Sequence, residues 1–325
     1  MMKMMSFPVF RDSMAEYKDA DELLESCRSL KLDGIEAVWG GDDAIDSFPD
    51  GAAVGYHLIF YPDWLDFWRG DEKALLDKFG SRESWVSFYG GEDRQALIRQ
   101  YRDDMARAVR LGAKYVVFHV SDVSIEEGYT YRWLHSDSDV LDGSAELINC
   151  LFGTDDYPFE LLVENQWWPG FTFTDPHRTE YLLDSIRYRK KGILLDTGHL
   201  MNTNRDIRTE ADGIAYIREM LKLHGSLCSS IRGMHLHQSL SGAYVQANTG
   251  RVPEGLSEDY VTQFGQSYAH ILKIDRHRPW TDPGIADIVK AVAPAYLTYE
   301  LSCGSRRERE NVVRTQRETL EKGGL

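Results

Sequence analysis

Nine side chains of metal-ligand type stand at or near the ends of short apolar runs in this chain. They are His57 in AVGYHLIF, His119 in YVVFHVSD, Glu164 in ELLVENQ, Asp196 and His199 in GILLDTGHL, His235 in IRGMHLHQ, Asp275 and His277 in IDRHRPW, and Glu300 in YLTYELS. Imidazoles and carboxylates without thiolates suit Zn²⁺ first, with Mn²⁺ or Fe²⁺ as alternatives. Nine such residues exceed the needs of one ion, and carboxylates can bridge, so the pattern predicts two or three divalent ions. Glu164 carries particular weight, because a carboxylate closing the run ELLVE is costly to bury unpaired. Glu300 repeats that pattern, and Asp196 with His199 forms a closely spaced pair. His235 and His237 lie two apart and share one strand face, so spacing alone does not choose between them.

Positioning these residues requires several strands that end together. Eight apolar runs have strand length: Met4–Phe10, Gly34–Trp39, Ala53–Ile59, Tyr115–Val120, Phe159–Glu164, Gly192–Asp196, Ile231–His237 and Ala295–Leu301. Several are nearly continuous in apolar residues, as parallel strands buried on both faces are. Helical patterns lie between many of them, at Ala20–Leu30, Arg94–Leu111, after Asp175-Pro176, at Ile214–Leu223 and at Ile285–Val292. A charged helix, Arg306–Lys322, closes the chain. The alternation predicts an α/β fold, a single (β/α)8 TIM barrel with long βα loops over residues 1–325. In such barrels the C-terminal strand ends carry the active site. Segments 61–91, 121–143 and 239–270 exceed a minimal barrel and are expected as loop insertions over its mouth. His135, His177, His224 and His270 lie outside the strand ends and read as surface or packing residues.

Bulk properties narrow the partners. A net charge of −15 over 325 residues disfavours a nucleic-acid-binding surface, though a local patch remains compatible with it. Four cysteines, Cys27, Cys150, Cys228 and Cys303, are widely spaced and form no CxxC pair, which fits reduced thiols in a cytoplasmic protein. The N-terminal stretch shows no signal-peptide pattern and no run is long enough to span a bilayer, so no membrane partner is expected.

The order and context of these motifs resemble the xylose-isomerase-like TIM barrel superfamily (AP endonuclease family 2), with a ligand pattern closest to endonuclease IV. LLVEN is similar to the family's strand-end glutamate, LLDTGH to its Asp-x-x-His element, RGMHL to the strand supplying a metal histidine, DRH at 275–277 to its Asp-Arg-His element, and YELS to its last glutamate. The resemblance implies that Glu164 and Glu300 are shared ligands and catalytic carboxylates, that Asp196 and His235 complete a core, and that His57, His119, His199, Asp275 and His277 hold further ions. It assigns the metal role to His235 rather than His237, which stands where the family typically has a small amide. Trp167, Trp168, His237, Arg276 and Trp280 flank these motifs and are candidates for substrate binding, since aromatic faces stack on sugars and bases.

Two activities follow. One is hydrolysis of a phosphoester in a small sugar or nucleotide-like substrate, for which the full ligand set speaks. The other is sugar or sugar-phosphate isomerisation or epimerisation, which the resemblance implies needs mainly Glu164, Asp196, His235 and Glu300, with the two glutamates as acid and base. A barrel that binds metal or sugar without turnover is a third reading.

Overall fold

The computed structural model of the chain describes residues 1–153 and 156–325. Eight parallel strands close into a barrel in sequence order: β1 (Met2–Val9), β2 (Gly34–Trp39), β3 (Gly55–His57), β4 (Tyr115–His119), β5 (Glu160–Glu164), β6 (Lys191–Asp196), β7 (Ile231–His235) and β8 (Tyr296–Tyr299). β8 pairs with β1, Met2 opposite Tyr296 and Met5 opposite Tyr299, which completes the ring. The (β/α)8 barrel expected from the alternation of apolar runs and helical patterns is therefore the fold.

Side-chain alternation along the strands explains where the polar residues meet. Inward-facing positions recur every second residue, so three of the ligands have a large apolar residue two positions below them. Leu162 sits below Glu164, Leu194 below Asp196, and Val117 below His119. These three, with Met4, Val54, Tyr115 and Tyr296, form one buried cluster. Tyr115 fills the barrel where Gly55 of β3 faces it, and a Cβ at position 55 would overlap its ring. The barrel interior is thus a packed apolar plug with a polar layer on its C-terminal side.

The three long segments are mostly helical. Residues 61–91 hold short helices at Leu65–Arg69, Glu72–Phe79 and Arg82–Tyr89, each ending at a glycine in the left-handed region (Gly70, Gly80 and Gly90). Helices of five to eight residues are too short to display a periodic pattern. They are anchored to the loop after β4: Asp122 Oδ1 accepts from the backbone of Trp64 and Leu65 at 2.8 and 2.9 Å, and Trp64 Nε1 donates to the Ser121 carbonyl. Lys78 bridges Asp63 and Asp66 at 2.6 and 2.8 Å in a nearly enclosed ion-pair network. His135 joins the same network, 3.1 Å from Asp66, and so secures the insert. Segment 121–143 contains a helix at Ile125–Thr130 and the start of another at Asp137–Phe152. Residues 239–270 contain Gly242–Asn248 and most of Tyr260–Ile274. Phe79 of the first segment stacks on Tyr260 of the last, ring centres 3.9 Å apart.

Candidate metal centre

Five ligand-type residues are the last residues of their strands: His57, His119, Glu164, Asp196 and His235 on β3 to β7. Glu300 directly follows β8. His199 is reached through a short helix, Thr197–Asn202, whose first turn Asp196 caps by accepting from the His199 backbone N–H at 2.6 Å. Asp275 ends the helix Tyr260–Ile274, and His277 follows with φ of +44°, a left-handed conformation disfavoured for a residue with a Cβ. All nine thus come to one end of the barrel.

Together with His237 they converge as three sets, each with donor atoms within 4.8 Å of one another: His57, His119 and Glu164; Glu164, Asp196, His235 and Glu300; and His199, His237, Asp275 and His277. Glu164 belongs to two sets. Its Oε2 lies 3.4 Å from His57 Nε2 and 3.1 Å from His119 Nε2, while Oε1 lies 3.0 Å from His199 Nδ1 and 3.5 Å from His235 Nδ1. His235 Nδ1 is also 2.7 Å from Glu300 Oε2 and 3.6 Å from Asp196 Oδ2. Asp275 Oδ2 is 3.1 Å from His199 Nε2 and 2.8 Å from His277 Nε2.

Apart from that between His199 and Asp275, these short separations are poor hydrogen bonds. Both oxygens of Glu164, Oε2 of Glu300, Nδ1 of His235 and Nε2 of His277 are buried without a hydrogen bond of acceptable geometry. Buried polar atoms are ordinarily satisfied. Donor atoms that crowd one another yet do not point along N–H···O lines have the arrangement of ligands aimed at a common centre. The residues present therefore fit divalent cations.

Electrostatics agree. Burial alone would raise Glu164, but the surrounding imidazoles, His119 and His235 first, hold it well below the usual carboxylate range. Burial would lower His199 and His235, and the adjoining carboxylates outweigh it and drive both well above ordinary imidazole values. His277 is pushed up to about 9 by Asp275 and Glu300 against the same burial effect. At His119 burial dominates and the shift is downward. In the metal-free chain, protons on imidazoles take the place that cations would fill.

Outer partners fix the tautomers. Glu36, on β2 and fully buried, lies 2.9 Å from His235 Nε2, which presents Nδ1 to the carboxylates. Glu36 also accepts from Tyr115 Oη at 2.6 Å and Thr298 Oγ1 at 3.1 Å. His57 Nδ1 donates to the Leu58 carbonyl, freeing Nε2, and His199 Nδ1 donates to the Asn165 carbonyl, with Gln166 Nε2 3.0 Å away. Glu36 was missing from the residues singled out by sequence. Its signal was present, a carboxylate inside the apolar strand GIEAVW, but it lies three residues short of the strand end. Glu36→Gln is expected to weaken metal binding 10- to 100-fold, the range typical of outer-shell partners. Competition with a chromogenic chelator measures this, and an unchanged affinity would remove Glu36 from the site.

A cavity of about 570 Å³ opens above the ligands. His57, His119, His199, Asp275, His277 and Glu300 line it, with Phe60, Trp167, Trp168, Tyr260, Phe264 and Tyr268 among the walls. The Trp167 and Trp168 ring centres are 4.1 Å apart, and Trp167 lies 5.1 Å from His199. The other residues expected to meet substrate are placed elsewhere. His237 is wholly buried and does not line the cavity. Arg276 is exposed and its guanidinium is directed to the Leu240 carbonyl at 3.4 Å, away from the cavity. Trp280 is fully buried and packs against Gly213, with its backbone N–H donating to Gln316. Proximity in sequence to the DRH motif misleads for Trp280, because the chain turns at Pro279 into the helical layer.

Residues 24–322 match the family described as the xylose isomerase-like TIM barrel. Similar solved structures include a D-tagatose 3-epimerase-like protein, at 14% identity and a TM-score of 0.52 over 100% of this chain and 98% of that one. The IOLI protein, solved with a bound zinc atom, has 13% identity and a TM-score of 0.53 over 99% and 98% of the two chains. Endonuclease IV from Thermus thermophilus has 15% identity and a TM-score of 0.49 over 99% of each. Likeness at these identities is one of fold. No curated protein matches the chain in sequence.

Proposed function

Because this chain belongs to the xylose isomerase-like TIM barrel family, whose fold serves more than one chemistry, we propose a specific activity for it: hydrolysis of a phosphoester in a small sugar or nucleotide-like substrate, with two or three divalent ions bound. The observation that carries this reading is the presence of three adjoining ligand sets, two of which share Glu164. The set Glu164, Asp196, His235 and Glu300 alone would serve a proton shuttle between adjacent carbons. Six further ligands beside it have no use in that reaction.

Glu164 would hold two ions together, Asp196, His235 and Glu300 would complete the central one, and the remaining histidines and Asp275 would hold the others. Divalent ions so placed supply Lewis acidity, activating water near neutral pH and neutralising charge on attacking and leaving oxygens. The chain's own groups do the rest. Among the described residues lining the cavity, Arg309 is the only lysine or arginine, so a phosphoryl group has few side-chain cations to meet and is drawn toward the ligand layer. Glu300 lines the cavity, whereas Glu164 is fully enclosed. Of the two glutamates, Glu300 is thus the one placed to accept the proton of an attacking water. Trp167 and Trp168 flank the site and would bind the ring of a sugar or base while excluding water. The cavity suits a small molecule, and the net charge of −15 works against a long polyanion.

The test combines metal analysis with a substrate panel. Two or three ions per chain are expected, one fewer in His119→Ala, together with phosphate release from sugar phosphates or nucleotides. A single ion, retained in His119→Ala, with turnover of a free ketose to its epimer would replace this reading by isomerase chemistry. Abasic-site duplex in the same panel addresses nucleic acid directly.

A further inference from the structure

We propose that His237 closes one of the three ligand sets, making His199, His237, Asp275 and His277 a four-ligand structural site while His57, His119 and Glu164 remain a three-ligand site with room for a reacting group. The inference rests on the metal-binding part of the function proposed above. Closed four-ligand sites hold an ion for stability, and sites with three protein ligands keep a position open for chemistry.

Several independent features place His237 in this set. Its donor atom lies within 4.8 Å of those of His199, Asp275 and His277. The ring is fully buried, its Nδ1 has no hydrogen-bond partner, and its Nε2 lies 2.9 Å from Asp196 Oδ2. The ring does not line the cavity, whereas the other three members do. Space for it is made by Gly198, where any Cβ would overlap the imidazole. The backbone N–H of His237 donates to Thr197 Oγ1, which in turn donates to the His237 carbonyl at 2.6 Å, so the residue is pinned beside β6. His277 is held at φ +44° with its Nε2 against Asp275. Strain of this kind persists only where the surroundings over-determine it, as converging ligands would.

The four donors also come from separate parts of the fold. His199 follows β6, His237 follows β7, and Asp275 and His277 end the long excursion between β7 and β8. An ion held by all four would staple that excursion to the barrel. One aspartate and three neutral imidazoles make a donor set suited to Zn²⁺ or Co²⁺.

The experiment compares metal retention in the full-length wild type, His237→Asn and His57→Ala, each loaded with Zn²⁺ and dialysed against increasing chelator. Wild type and His57→Ala are expected to retain one ion after the others are stripped. His237→Asn is expected to release that ion with an affinity lowered by more than about 100-fold, beyond the effect of losing an outer-shell partner. Retention of the tight ion in His237→Asn overturns the inference. Should that variant fail to fold, Co²⁺-substituted Glu300→Gln, in which the other four-ligand set is opened, decides: one strongly absorbing four-coordinate ion per chain supports the closed site, and only weakly absorbing, higher-coordinate ions refute it. Retention is read without any substrate. A tight ion dependent on His237 in a protein that releases no phosphate would uphold this inference and sink the hydrolase, and the reverse result would do the opposite.

Discussion

Replacing Glu164 with glutamine is expected to cost the protein two ions and its activity at once. Its Oε2 faces His57 and His119, and its Oε1 faces His235 and His199. Glutamine preserves the shape but removes the negative charge that both the three-ligand and the central sets share. An amide also presents one acceptor where the carboxylate presents two. Ions in such sites supply several kcal/mol of charge stabilisation, and each 1.36 kcal/mol is tenfold in rate. A fall in turnover of about 10³-fold or more is therefore expected, with metal content reduced by two per chain and the circular dichroism unchanged. A variant that kept both ions, or stayed within tenfold of wild type, would show that Glu164 is not the shared ligand.

Metal removal should have the next largest effect, and its pH dependence has a definite sign. In the metal-free chain the carboxylates raise His199, His235 and His277, the last to about 9. A raised imidazole contributes stability that is fully present below its unfolded value and lost as pH rises through the folded one. The depressed carboxylates Glu164, Asp196 and Asp275 act oppositely, their contribution being lost as pH falls through their folded values. Cations require neutral imidazoles, so loading must expel the protons. Metal affinity should accordingly rise between pH 6.5 and 9 while the metal-free protein loses ion-pair stability over the same window. Loading at a thousandfold excess over Kd contributes about 4 kcal/mol per ion, or on the order of 10 °C in Tm for a protein of this size. Calorimetric titration in buffers of different ionisation enthalpy should show release of more than one proton per chain. A gap between loaded and metal-free Tm that narrows with rising pH would contradict this account.

Much of the architecture was legible because buried parallel strands write themselves as continuous apolar runs. The runs at Gly34–Trp39 and Ile285–Val292 coincide with a strand and a helix to the residue. Run lengths were less reliable: Ala53–Ile59 shortens to Gly55–His57, because pairing with β2 and β4 ends where the chain leaves the barrel rim. The nine ligand-type residues stood out since each is a polar type at or near the close of an apolar run, although only five of them end strands. Glu36 was not, because it lies inside a strand and its importance depends on His235, far away in sequence. Nor could the grouping of His237 be read, since two residues on one strand face are equivalent until Gly198 is seen to leave space for one of them. The short helices of residues 61–91 were hidden for a different reason, namely that one to two turns of helix leave too little period to detect.

The placement of ligands on successive strands of a closed ring also constrains the order of folding. The members of each set are far apart in sequence, and the central set, which draws Glu300 from beyond β8, is incomplete until the last strand docks against β1. Such non-local contacts form late and slowly. Uptake at the central site cannot seed the barrel; it can only follow closure and then oppose reopening. The central ion should therefore act on the unfolding rate far more than on the folding rate, so that the loaded protein is durable in a kinetic sense that its equilibrium stability alone would understate.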